Sequence, residues 1–224
     1  RTMLEIKNLT KTYKGGKTAV DNLSLTVRAG DIYGFIGHNG AGKTTTIKAV
    51  VGIHDFDKGE IRVDGKDVRT QSLECKKAMA YIPDNPDIYE YLTGIQYLNF
   101  LADIYQVPGK EREERIRREA EDFGIYSVLG DLVSTYSHGM RQKLALTGAL
   151  IHEPKLLVLD EPFVGLDPEA SLLLKRKMHA FCEKGSAIFF STHVLEVAEK
   201  LCNRIAVISG GKLIVEGDTK ELTR

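Results

Sequence analysis

The segment Gly37-His38-Asn39-Gly40-Ala41-Gly42-Lys43-Thr44 satisfies every fixed position of G-x-x-x-x-G-K-[ST]. It follows "DIYGFI", an apolar run of buried-strand length, and precedes "TTTIKAVVGI", which runs on without proline. The order is strand, glycine loop, helix. Bare backbone at a helix start leaves several N–H groups converging on one concavity, where the positive end of the helix dipole favours an anion. Phosphate is the expected guest of Gly37–Thr45. Lys43, read as a charge on a surface loop, reaches the β- and γ-phosphates, and the Thr44 hydroxyl holds Mg²⁺, an ion that keeps most of its own water. Such a loop requires a strand–helix core, so the expected fold class is α/β.

Composition sets outer limits. With 224 residues, 42% hydrophobic and 28% charged, residues 3–224 are expected to form one domain with a substantial core. Thirty-one basic and thirty-one acidic residues cancel, so the net positive field of a nonspecific nucleic-acid binder is missing and no nucleic-acid partner is expected. No uncharged apolar run approaches the roughly 18 residues of a membrane span, and a soluble chain is expected. Cys75, Cys182 and Cys202 have no metal-type spacing and read as reduced thiols.

Patterning changes along the chain. "LEIKNL" and "LSLTV" alternate as half-buried strands do, and "IRVDGKDV" repeats this around an Asp-Gly turn, giving an antiparallel β lobe near residues 3–30 and 60–70. Near residues 85–150 the spacing becomes helical. "GIQYLNFLADIYQV" is apolar every third or fourth residue, and "GKEREERIRREAEDFGI" puts Ile116, Ala120 and Phe123 on one face, its interleaved charges reading as a solvated surface. After Pro154, "KLLVLD", "SAIFFSTH" and "RIAVIS" are nearly continuous apolar strands separated by helical stretches, as in a mostly parallel sheet covered on both faces. "GGK" then reads as a hairpin turn, and Asp218 as the cap of a short last helix.

"LLVLDEP" brings Asp160 and Glu161 to the end of a buried strand. Open α/β sheets bind ligands at the carboxyl ends of their strands. Beside the P-loop, Asp160 can bind Mg²⁺ through its water, and Glu161 can polarise a water for attack on the γ-phosphorus. The chain from "YSHGMRQKL" to "VGLDP" resembles the ATP-binding cassette family, the motor subunits of ABC transporters. That resemblance covers nearly the whole chain. It rests on Gly37–Thr45, Asp84, Ser137–Met140, Asp160–Glu161, Leu166–Asp167 and His193, in that order. It implies a P-loop NTPase core with a helical insertion, ATP and Mg²⁺ as ligands, Tyr13 stacking on adenine, and His193 contacting the γ-phosphate. It also implies that Ser137, His138, Gly139 and Met140 serve the nucleotide of an opposite subunit, with Leu166 and Asp167 at the same dimer interface.

Two positions depart from the family pattern. The signature reads Tyr-Ser-His-Gly-Met where the family commonly has LSGGQ, keeping a hydroxyl and a bare N–H but losing a side-chain amide. Asp84 stands where glutamine is usual, a shorter but charged oxygen ligand for Mg²⁺. The function implied is an ATP-hydrolysing subunit of an exporter-like or ABC-2 transporter. It would sit on the cytoplasmic face of the membrane, bound to separate permease subunits, and pair as a homodimer or heterodimer when ATP binds. The alternative is a soluble cassette ATPase acting on ribosomes or DNA, which by the family's habits needs two cassettes in one chain or a long coiled coil between P-loop and signature.

Overall fold

The computed structural model describes residues 1–223. They form two compact units: Arg1–Tyr81 with Lys155–Pro162 and the chain from Met178 on, and Ile82–Pro154 with Phe163–Lys177.

The first unit holds two sheets. β1 (Thr2–Thr12), β2 (Thr18–Arg28), β4 (Lys58–Val63) and β5 (Lys66–Asp67) form an antiparallel sheet in the order β2-β1-β4-β5. Its hairpin turns at Asp64–Gly65, where the sequence places an Asp-Gly turn. β1 begins ahead of Met3, since Thr2 pairs with Arg28. The second sheet has the order β10-β9-β3-β8-β7-β6, from β3 (Ile32–Ile36), β6 (Met79–Ile82), β7 (Leu156–Asp160), β8 (Ala187–Thr192), β9 (Arg204–Ser209) and β10 (Lys212–Asp218). β9, β3, β8 and β7 run parallel, and β10 turns back antiparallel on β9. Every residue of β3, β7 and β8 is buried, which explains their unbroken apolar runs. Phe189 packs between Tyr33 and Phe35 at ring-centroid distances of 5.7 and 5.3 Å. Each such ring contributes roughly 1.5–3 kcal/mol by burial.

The helices of this unit are α1 (Lys43–Val50), α2 (Ser72–Ala78), α7 (Leu195–Leu201) and α8 (Thr219–Leu222). Asp218 caps α8, accepting from Lys220 N at 2.9 Å.

The second unit is helical: α3 (Gly94–Ile104), α4 (Gly109–Asp122), α5 (His138–Ile151) and the part of α6 (Pro168–Glu183) up to Lys177. Thr93 and Gln96 form a reciprocal capping box at the start of α3. Ile116, Ala120 and Phe123 are buried, as their spacing predicts. The charge run on α4 is less solvated than expected. Glu119 is buried and pairs with Lys177, whose Nζ also reaches Asp122 at 2.7 Å, while Arg115 donates to the Ile151 carbonyl at the end of α5 at 2.9 Å. Part of that run therefore holds helices together.

Candidate functional site

The carboxyl ends of β3, β7 and β8 bring the site together inside the first unit. From β3 the chain passes through Gly37–Gly42 into α1, capped by Gly42 with no side-chain hydrogen bond. Gly42 has φ +113°, and a Cβ there would lie 2.6 Å from the Ala19 carbonyl oxygen, so only glycine lets the loop turn this close to β2. With no side-chain cap, the first turn of α1 leaves its amides to an anion. His38 and Asn39 are exposed on the loop, where His38 Nδ1 donates to the Asn39 carbonyl at 2.8 Å, whereas Ala41 is buried.

Lys43 is not the surface charge its loop position suggests: it is only 5% exposed. Its Nζ lies 3.2 Å from Glu161 Oε1, and the same oxygen is 2.8 Å from His193 Nδ1. Thr44 Oγ1 donates to Asp160 Oδ2 at 3.3 Å. The two sequence constellations, P-loop and paired acids, thus share one cluster with His193.

Ser191 was not anticipated. Its hydroxyl donates to Asp160 Oδ1 at 2.5 Å and accepts from Glu161 N at 3.2 Å, while its carbonyl takes the same amide at 3.1 Å. Glu161 has φ +48°, a region that costs a non-glycine residue about 1–3 kcal/mol. Its two bonds to Ser191 hold that conformation and swing the carboxylate toward Lys43. The only sequence signal was a small polar pair, Ser191-Thr192, ending an apolar strand just before His193.

Tyr13 is 37% exposed, with its hydroxyl 3.1 Å from Thr45 Oγ1, so the aromatic expected to stack on a base is tied to α1. Lys11 Nζ lies 5.4 Å from the ring centroid.

Thr44 and Asp160 offer two hard oxygens beside a phosphate loop, a donor set that fits Mg²⁺ with most of its water retained. Among the described residues, no group of three or more His, Cys, Asp or Glu forms a denser metal site. Asp84 is exposed and belongs to the second unit, on the loop after β6.

The signature residues and Leu166–Asp167 also lie in the second unit, and the structure brings them together there. Ser137 caps α5 by accepting from Met140 N at 3.2 Å. A Cβ on Gly139 would be 3.2 Å from the Gly165 carbonyl, and Lys143, one turn on, pairs with Asp167 at 3.3 Å. The Asp167 carboxyl is held below the usual carboxylate range, first by the Ala170 amide and then by Lys143. Tyr136, in place of the usual leucine, is buried, and its hydroxyl donates to the Val128 carbonyl at 2.6 Å. No helix among the described residues is long and apolar enough to cross a membrane.

Comparison with known proteins shows the family and the fold. A family model described as ABC transporter matches residues 20–164. The uncharacterized ABC transporter ATP-binding protein YhcH of Bacillus subtilis (strain 168) is 39% identical over 215 residues, 96% of this chain and 69% of that protein. The bacitracin transport ATP-binding protein BcrA of Bacillus licheniformis is 37% identical over 216 residues, again 96% of this chain and 69% of the relative. A solved ATP-binding subunit of an ABC transporter superimposes with a TM-score of 0.95 at 32% identity, covering 99% of this chain and 92% of that one.

Proposed function

Because the chain belongs to the ABC transporter family, we propose that it is the subunit that binds and hydrolyses ATP to power a membrane transporter. The observation that carries this is the cluster of Lys43, Thr44, Asp160, Glu161 and His193 within one unit.

Each residue has a role the geometry supports. Tyr13 offers a ring face for adenine. The amides of Gly37–Thr45 and the Lys43 ammonium hold the β- and γ-phosphates. Thr44 and, through water, Asp160 would hold Mg²⁺, which neutralises developing phosphate charge when bound. Asp84 is a further oxygen toward that ion, as the resemblance implies. Glu161 takes the proton of the attacking water as its oxygen bonds to the γ-phosphorus. The bond from that phosphorus to the β–γ bridging oxygen breaks, leaving ADP and inorganic phosphate. His193, bonded to Glu161 Oε1, fixes that carboxylate, and the resemblance assigns it a contact with the γ-phosphate.

The signature, Ser137–Met140, and Leu166–Asp167 serve the nucleotide of an opposite subunit when two cassettes close on ATP. Permease subunits are separate chains, and the exposed pair Tyr89 and Tyr91, with ring centroids 5.5 Å apart on the segment after Asp84, offers them apolar surface. Membrane attachment through such partners would place the chain peripherally on the cytoplasmic face. The likeness to a bacitracin transport protein supports an exporter-like branch.

The test is ATP hydrolysis by the purified chain beside Glu161→Gln. The amide keeps shape and loses the proton acceptor, so the variant should bind ATP, turn over about 10²–10⁴ times more slowly and accumulate as an ATP-bound dimer on size exclusion. A variant that stays monomeric and hydrolyses at the parental rate would sink the reading.

A further inference from the structure

The chemistry above gives the His138 side chain no task of its own within its subunit. His138 occupies a position where the family pattern has glycine, and it is the first residue of α5. Its ring edge lies against Gly165, in the loop that joins β7 to α6, with both residues exposed. A Cβ built on Gly165 would lie 2.6 Å from His138 Cδ2 and 2.9 Å from Nε2, so the ring occupies the space a side chain there would need. Gly165 has φ +85°, a conformation that independently favours glycine. The ring thus rests where Gly165 presents bare backbone.

The rest of the loop is held at one end. Asp167 pairs with Lys143, accepts from Ala170 N at 2.8 Å through its carboxylate and from Ser171 N at 2.9 Å through its carbonyl, which anchors the start of α6. Before that anchor, Leu166 N donates to the Phe163 carbonyl at 3.3 Å, a turn closed within the loop itself, and Val164 is 49% exposed. In the middle of the loop Val164 and Gly165 are exposed, and the His138 ring of α5 lies against Gly165. A loop with few packed contacts samples open conformations cheaply.

We propose that His138 is a positioning residue whose ring clamps Gly165, so that Ser137–Met140 and the 163–167 loop of one subunit move as a single body. The consequence for hydrolysis rests on the reading of this chain as a cassette ATPase that works as a dimer. In that dimer both segments meet the opposite nucleotide, and the clamp keeps them in register. ATP binding to Gly37–Thr45 does not involve the clamp.

Amide hydrogen exchange across Val164–Leu166, read by mass spectrometry in the parent, His138→Gly and His138→Phe, tests the clamp without any requirement for activity. Exchange should quicken in His138→Gly and return close to the parental rate in His138→Phe, which restores a planar ring. Hydrolysis should follow the same order. In His138→Gly, kcat should fall on the order of tenfold, as small misplacements of reacting groups do, with ATP affinity unchanged, and His138→Phe should recover most of it. Equal exchange in parent and His138→Gly overturns the clamp. Quickened exchange with an unchanged kcat overturns the positioning role. If His138→Gly melts early, His138→Ala removes the ring at less backbone cost and gives the same reading. A parent that does not hydrolyse ATP at all refutes the proposed function instead, and the exchange result still decides the clamp.

Discussion

Lys43 Nζ and Glu161 Oε1 lie 3.2 Å apart although 118 residues separate them in the chain. The cation that would hold phosphate and the carboxylate that would take a proton are thus each other's partner. Phosphate bound at Lys43 competes with Glu161 for the ammonium, so binding would release the carboxylate from its ion pair to face an attacking water. Binding and activation of the base are linked through one ion pair.

Lys43→Ala should therefore do more than remove a phosphate ligand. Tight Mg-ATP binding should be lost by calorimetry. Glu161, 14% exposed, keeps His193 but loses its buried cation, so stability should fall by about 1–3 kcal/mol. Equal ATP affinity in variant and parent would contradict the assignment. Lys43→Met, which refills the buried volume without the charge, should recover some stability and none of the affinity.

Ser191→Ala removes the donor to Asp160 Oδ1 and one of the two acceptors that hold Glu161 at positive φ. A hydrogen bond to a buried carboxylate contributes about 1.5–3 kcal/mol, and a loss of that order is expected by denaturant unfolding. The more telling outcome is catalytic. With one hydrogen bond to Asp160 lost, the Mg²⁺ concentration needed for half-maximal hydrolysis should rise, while Ser191→Thr keeps the hydroxyl and should stay near the parent. An unchanged Mg²⁺ requirement in Ser191→Ala would remove Ser191 from the site.

His152 gives a prediction about pH. Its ring stacks on Tyr105 with centroids 3.6 Å apart and planes 4° from parallel, and burial lowers its pKa to about 4. Below the ordinary histidine value near 6.5, the unfolded chain takes up a proton that the folded chain refuses until pH approaches 4. The stability His152 contributes is thus fully present above pH 6.5 and is lost as pH falls toward 4, by about 3 kcal/mol at most. Denaturant titrations at pH 7 and pH 4.5 should show a smaller drop in His152→Phe than in the parent. An identical drop would mean that other groups carry the acid sensitivity.

What was legible in the sequence was local. The P-loop spacing is itself a backbone geometry, so the pattern at Gly37–Thr44 and the structure at α1 state the same constraint. The alternation around Asp64–Gly65 and the face of Ile116, Ala120 and Phe123 were readable because turn and helix periods act over a few residues. Ser191 was missed because its partners lie 31 and 30 residues away on the neighbouring strand, and strand pairing is a tertiary fact. Lys43 is buried where its loop position suggests exposure for the same reason, since its partner Glu161 comes from the turn after β7. The buried pairing of Glu119 with Lys177 escaped a pattern of alternating charges, which cannot show which acid faces a second helix. His138 was visible as a departure from a motif, yet its use depends on a loop 27 residues on having no side chain at Gly165.

The cross-subunit role of the signature is the last expectation, and the structure sharpens its test. Gly139→Asp places a negative charge where the signature would meet γ-phosphate, a like-charge contact that opposes dimer closure. The substitution is not purely electrostatic, because any Cβ at 139 sits 3.2 Å from the Gly165 carbonyl and the loop must yield slightly. Gly139→Ala carries that crowding without the charge, so the difference between the two variants isolates the charge. Both should retain near-parental ATP affinity, because the phosphate loop is untouched. Gly139→Asp should lose most hydrolysis, and Gly139→Ala should lose far less. Hydrolysis by the parent should rise more steeply than linearly with protein concentration. Mixing Gly139→Asp with Lys43→Ala then creates one composite site that unites an intact phosphate loop with an intact signature, so activity above the sum of the two separate proteins is expected. Full parental hydrolysis by Gly139→Asp alone would refute the assignment, since no subunit in that assembly presents an unaltered signature to its neighbour.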